Sequence, residues 1–201
     1  MRLFVALPLP EKIKQRLGIV VEKLRAECEG IPIKWVAPEN IHLTLKFLGE
    51  TEQLLVTKIG AEMKSVAADF PSFSCKLREI GGFPNLRKPR VLWTGIGPDS
   101  ETNRLAELAS TVDNRMHKLG FGMENRPFKS HLTIGRVRNR QNRLDGDQMP
   151  DNLREIVKDV LESSHEFRLT KIILFKSTLS SSGPVYEALE SADLDRDEMS
   201  G

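Results

Sequence analysis

The apolar positions of this chain change period about every ten to twenty residues, and each change marks an element. Arg2 to Leu7 form an apolar run closed by Pro8 and Pro10, the signature of a strand and its exit turn. From Glu11 to about Cys28 the apolar residues Ile13, Leu17, Val20, Val21 and Leu24 recur at three and four, which predicts one inward helix face. Gly30 and Pro32 stop that helix. A short strand over Ile33 to Val36, a turn at Pro38 to Asn40 and a second strand over Ile41 to Leu48 follow. A helix then opens at Glu50 or Thr51 and runs to about Ala68, with Leu54, Leu55, Ile59, Met63 and Val66 inward, and Phe73 to Ile80 returns as a strand. The segment GGFPNLRKPR, 81 to 90, reads as a loop.

The second half repeats the theme. Val91 to Ile96 predicts a strand and Thr102 to Leu119 a helix facing inward through Leu105, Leu108, Val112 and Met116, ended by Gly120 and Gly122. A strand over His131 to Val137, an Arg-rich loop, a helix over Leu153 to Leu161, and strands over Glu166 to Lys176 and Val185 to Leu189 complete the series. An acidic tail from Ser191 to Gly201 is expected to fray. Short turns between several strand pairs favour an α+β fold with mainly antiparallel sheets and helices packed outside. ENIHLTLKF and FKSHLTIGR share His-Leu-Thr-apolar 89 residues apart, which predicts two similar lobes, roughly 1–95 and 96–190 with some exchange of chain between them, facing across a central cleft.

Composition narrows the classes. The chain has 201 residues, 39% hydrophobic and 29% charged, and no apolar run approaches the roughly 20 residues of a membrane span. Cys28 and Cys75 belong to no metal or redox pattern, so reduced, buried thiols in a cytoplasmic protein are expected. A net charge of +2 does not by itself announce a nucleic-acid binder, and only local clustering argues for one.

The repeated triplet carries the chemistry. On a strand, His42 and Thr44 leave one face while Leu43 and Leu45 leave the other, and His131 and Thr133 repeat this with Leu132 and Ile134 behind. A lone His-x-Thr means little; two with matching apolar neighbours point to a site. The remaining histidines, His117 and His165, lack that context and read as structural. Imidazole, with an ordinary pKa near 6.5, supplies both a neutral base and a charged acid around neutrality. In-line displacement at phosphorus needs one proton taken on one side and one given on the other, and two threonine hydroxyls suit the non-bridging oxygens. The scheme needs no metal or other cofactor. No H-E-x-x-H, H-x-H or nucleophile elbow offers a competing chemistry.

HLTL at 42–45 and HLTI at 131–134 resemble the paired H-x-T-x motifs of the 2H phosphoesterase superfamily. MRLFVALPLPEKIKQRL, WVAPENIHLTLKFLGE and GGFPNLRKPRVLW are similar to its bacterial and archaeal RNA 2′,3′-cyclic phosphodiesterase (2′-5′ RNA ligase-like) branch, over most of the chain. The resemblance implies two α+β lobes around a cleft and hydrolysis of an RNA-terminal 2′,3′-cyclic phosphate to a 2′-phosphomonoester. It also implies, for some members, ATP-independent joining of tRNA halves through a 2′-5′ linkage. By position, His42 would be the proton donor to the 3′ oxygen, His131 the acceptor from water, and Thr44 and Thr133 the phosphate holders. By the residues' own chemistry the two motifs are interchangeable. Ser130 stands where the family often has proline.

Around the site, Lys46 is expected on the face of Thr44, and Arg136 just beyond the second motif, where Gly135 would permit a re-aiming bulge. With Arg126, Lys129, Arg138, Arg140, Arg143 and the loop Arg87-Lys88-Pro89-Arg90 they would form a basic rim for RNA. Arg136 is the strongest of these. Trp35 and Phe4 read as core before they read as base-stacking groups. Three functions remain open on sequence: a cyclic phosphodiesterase acting on RNA ends such as tRNA fragments, a ligase using the same site in reverse, and a non-catalytic RNA-binding protein. A monomer is the default.

Overall fold

The computed structural model describes residues 1–97, 102–138, 149–164, 166–181 and 183–194. Its centre is an eight-stranded antiparallel sheet, built from β1 (Arg2–Pro8), β2 (Ile33–Trp35), β3 (His42–Glu50), β5 (Leu77–Phe83), β6 (Val91–Ile96), β7 (His131–Val137), β9 (Lys171–Leu179) and β10 (Pro184–Asp193). The order is β10-β9-β1-β3-β7-β6-β5, with β2 added beside β7, while β4 (Phe73–Cys75) and β8 (Phe167–Leu169) pair apart. Two half-sheets thus meet between the two motif strands, where β3 and β7 share one bridge, Leu43 to Leu132. Further along β7 the place of β3 is taken by β2, which pairs Ile33, Lys34 and Trp35 with Val137, Arg136 and Gly135.

Among the described residues four helices cover one face: α1 (Glu11–Glu27), α2 (Val56–Ala68), α3 (Thr102–Lys118) and α4 (Leu153–Glu162). Helix α1 follows Pro10, whose carbonyl takes the first amides, from Ile13 and Lys14, so the proline that ends β1 also launches the helix. Its apolar face, Ile13, Leu17, Val20, Val21 and Leu24, is buried as the spacing predicts. The helices exchange partners between the halves of the chain. Helix α1 packs on α4, with Arg16 reaching the Val160 carbonyl and Ser163 hydroxyl, while α3 packs on α2 and β3. Leu3, Val5, Leu7, Leu43 and Leu132 face these helices in one core, which leaves the opposite face of the sheet for the site. No helix of the described residues is long and apolar enough to cross a membrane.

Four expectations about elements change. The helix expected to open at Glu50 or Thr51 begins at Val56, after a 3₁₀ turn over Gln53–Leu55, and Leu54, expected inward, is 85% exposed. Residues 81–83 are strand, not loop, because Gly81 and Gly82 let neighbours close in. A Cβ on Gly81 would overlap the Trp93 ring, and one on Gly82 would lie 2.6 Å from the Asn85 carbonyl. The strands expected over 73–80 and 166–176 each break in two, the outer pieces forming the separate β4–β8 pair. Residues 191–194, expected to fray, belong to the fold: Ser191, Ala192 and Asp193 pair with Ile173, Ile172 and Lys171, and Leu194 is buried. This stretch escapes a hydrophobic reading because β10 is an edge strand, where charged residues such as Glu187 and Glu190 are tolerated and protect against further pairing. Residues 195–201 lie outside the described residues.

Candidate active site

The bridge between Leu43 and Leu132 sets the site. Antiparallel pairing around it puts His42 opposite Thr133 and Thr44 opposite His131, all four on the face away from the helices. Each histidine is turned by its own backbone. His42 Nδ1 lies 2.8 Å from the Asn40 carbonyl and His131 Nδ1 lies 2.6 Å from the Lys129 carbonyl. A carbonyl only accepts, so both Nδ1 atoms carry the hydrogen and both Nε2 atoms remain for the cleft. The two imidazoles are presented in the same tautomer by the same i−2 contact.

Their surroundings differ. His42 stacks on Phe4 at 4.7 Å between ring centroids and meets Tyr186 edge-on at 5.3 Å, with Phe175 behind Phe4. Burial in this cage pushes its pKa down to about 4; the Asn40 carbonyl opposes the fall, and the charges of Arg136 and Lys14 add to it. His131 meets the edges of Phe83 and Trp93, and the Lys129 ammonium lies 4.6 Å from the Trp93 ring. Burial again lowers its pKa, against the Lys129 carbonyl and with the charges of Arg136 and Lys129. The same burial raises the pKa of Tyr186, with the Arg136 charge pulling the other way.

A bulge follows each triplet, and it reverses which way the next residues point. Ala6 pairs with Thr44 and Val5 with Lys46, so Leu45 is the extra residue, and Lys46 turns to the helix face with Val5. Lys46 is 6% exposed, ion-paired with Asp113 of α3, and donates to the Gly122 carbonyl at 2.7 Å. The expectation that Lys46 shares the face of Thr44 is therefore corrected, and it belongs to the fold's interior. On the other motif, Trp93 pairs with Thr133 and Leu92 with Gly135, so Ile134 is the extra residue. Gly135 turns to the core and Arg136 returns to the cleft, where its charge reaches both imidazoles. The bulge expected at Gly135 is present. Five positions after each histidine the cleft face thus carries Phe47, 66% exposed, in one half and Arg136 in the other.

The other candidates divide. Lys129 is beside His131, but its ammonium is held over aromatic rings; Arg126 is exposed in the segment before β7, and Ser130 is half-buried at its entry. Arg87, Lys88, Arg90 and Arg138 are exposed, with the Arg90 and Arg138 amides bound into the sheet margin. Arg140, Arg143 and His165 lie outside the described residues. Phe4 is the floor under His42, Trp35 packs over Gly135, and His117 binds the Phe121 carbonyl at the end of α3. Both cysteines are buried thiols, with burial raising that of Cys28 to about 11. Sequence reasoning missed Phe175, Tyr186, Lys14 and Lys34. The single tyrosine of the chain was one available signal, but nothing local ties residue 186 to residue 42. Among the described residues, no group of three or more His, Cys, Asp or Glu is gathered to hold a metal ion.

Comparison with known proteins shows the family. The chain matches the LigT like phosphoesterase family over residues 7–93 and again over 96–186, one match for each triplet. It is 36% identical over 190 residues to the RNA 2′,3′-cyclic phosphodiesterase of Methanocaldococcus jannaschii, covering 94% of this chain and 99% of that one. To the enzyme of the same name from Thermotoga maritima it is 32% identical over 189 residues, covering 94% and 93%. Among solved structures, TT0787 of Thermus thermophilus superposes with a TM-score of 0.76 at 27% identity, covering 98% of this chain and all of that one. Escherichia coli LigT complexed with 3′-AMP shares the fold, at a TM-score of 0.69 and 24% identity over 97% of this chain and 98% of its own. The chain belongs to the LigT-like branch of the 2H phosphoesterases.

Proposed function

We propose that the protein hydrolyses RNA-terminal 2′,3′-cyclic phosphates to 2′-phosphomonoesters by metal-independent acid–base catalysis between His42 and His131. The observation that carries this reading is the shared presentation of the two imidazoles: same sheet face, same Nδ1 anchoring, Nε2 free toward the cleft. The names of the curated relatives support the reaction class. The phosphate sits between the imidazoles. His131 takes a proton from water as its oxygen bonds to phosphorus, and His42 gives a proton to the 3′ oxygen as the P–O3′ bond breaks, leaving phosphate on the 2′ oxygen. Thr44 and Thr133, each across the strands from a histidine, donate to the non-bridging oxygens.

The lowered pKa values shape the order of events. With the cleft empty, His42 is neutral near pH 7, and the lowering cause is mainly burial. An anionic phosphate arriving between the rings favours the charged form of either imidazole, so substrate binding draws onto the donor, from solvent, the proton it needs. The test is hydrolysis of a short RNA with a 2′,3′-cyclic end in ¹⁸O-labelled water with chelator present. A 2′-phosphate carrying one labelled oxygen is expected. A labelled 3′-phosphate, or no turnover by folded protein, contradicts the reading.

A further inference from the structure

We infer that Lys34 and Arg136 form a second phosphate seat that holds the internucleotide phosphodiester on the 5′ side of the cyclic end. The inference rests on the phosphodiesterase reading above. Lys34 of β2 lies directly opposite Arg136 of β7. Trp35 and Ile33 pack over Gly135 on the helix face, so by alternation Lys34 and Arg136 share the cleft face. Both are exposed, and among the described residues neither side chain has a hydrogen bond or ion pair. Like charges directly opposite on neighbouring strands disfavour each other, and among the described residues no acidic side chain is paired with either. An anion between them would offset this.

The position fits a particular anion. Along β7 the order is His131, Thr133, Arg136, and Thr133 faces His42, so the two cations lie beyond the His42 end of the catalytic four, about 7 Å from Thr133, because the bulge at Ile134 leaves only two strand steps of about 3.3 Å between them. If His42 protonates the 3′ oxygen, the ribose of the terminal nucleotide lies on this same side, and so does the phosphodiester on its 5′ oxygen. A cavity of about 260 Å³ lies beside His42, between Lys14 and the rings of Phe175 and Tyr186, with room for one nucleoside. The seat therefore selects for a polynucleotide end over a free cyclic mononucleotide. Sequence alone hides it, because Lys34 is a single lysine in a three-residue strand 102 positions from Arg136.

The test compares kcat/KM for a short RNA ending in a 2′,3′-cyclic phosphate with that for a nucleoside 2′,3′-cyclic phosphate, in wild type, Lys34→Ala and Lys34→Glu. The wild type is expected to prefer the RNA, and Lys34→Ala to cut that preference about threefold to tenfold. The slope of log(kcat/KM) for the RNA against log salt should become shallower by about 0.7, the loss of one phosphate contact on a single strand. Lys34→Glu should abolish the preference yet raise Tm by about 1–2 °C, because the pair with Arg136 becomes attractive. A purely structural role would move both readouts the same way. Equal use of both substrates by the wild type, or equal loss on both in Lys34→Ala, overturns the seat and leaves the phosphodiesterase reading standing. No turnover of either substrate by the wild type overturns both.

Discussion

The two half-sites share a plan and differ in what surrounds it. In each, a histidine is turned by the carbonyl two residues before it, a threonine follows on the same face, and a bulge then swaps the faces of the next residues. Around His42 lie Phe4, Phe175 and Tyr186, and the bulge brings Phe47 to the cleft and buries Lys46. Around His131 lie Phe83 and Trp93 with the Lys129 ammonium, and the bulge brings Arg136 to the cleft. Two chemically interchangeable triplets are made unequal by their neighbours. One imidazole sits deep in an aromatic cage, the other beside a cation.

Removing either imidazole disrupts this pairing most severely. His42→Ala and His131→Ala should each lower turnover by about 10²–10⁴ while leaving RNA affinity within a few-fold, read by steady-state rates beside equilibrium binding. A loss confined to one of them would mean that the halves do not act as a pair. Next in size is the buried lysine. Lys46→Met leaves the Asp113 carboxylate, 8% exposed, with only the Glu124 amide among the described residues, and is expected to cost about 3–5 kcal/mol of stability by denaturant melt. Its kcat below the melting transition should change far less than for either histidine variant, since Lys46 faces the helices.

Arg136→Met separates the half-sites on a finer scale. It should raise KM about tenfold through the lost charge-assisted contact, and raise the pKa of both imidazoles, because the guanidinium lowers both. Proton titration of the ring signals by NMR checks the second effect, and an upward shift of one histidine alone would place Arg136 in one half-site only. The smallest effect is in the pH profile. The kcat/KM profile reports the empty site and the kcat profile the loaded one, so the alkaline limb of kcat should lie at higher pH than that of kcat/KM. Stability should follow the same group: a histidine whose folded pKa lies below its unfolded value stabilises fully above about pH 6.5, and that contribution is lost as pH falls toward about 4.

Much of this arrangement is legible from the chain. The inward faces of α1 and α3 follow from spacing at three and four, and the two triplets mark the strands that carry them. The family resemblance supplies the reaction. What escapes is whatever depends on a broken pleat or a distant partner. Alternation is a reliable guide only while the pairing is unbroken, and one extra residue at Leu45 sends Lys46 to the wrong side of any period-two reading. The same device at Ile134 is what returns Arg136 to the cleft, and there Gly135 is a local hint. Phe175 and Tyr186 reach His42 only because β9 pairs with β1, a contact across some 170 residues of chain that no local pattern encodes. Lys34 is hidden in the same way.

The division of the proton transfers between the imidazoles, His42 giving and His131 taking, can be tested by changing the leaving group. A 2′,3′-cyclic substrate with sulfur in place of the bridging 3′ oxygen has a leaving group that departs without protonation. Single-turnover rates with this substrate should be close to wild type for His42→Ala and remain about 10²-fold or more down for His131→Ala. Rescue of His131→Ala instead would exchange the two roles, and rescue of neither would contradict acid catalysis by His42.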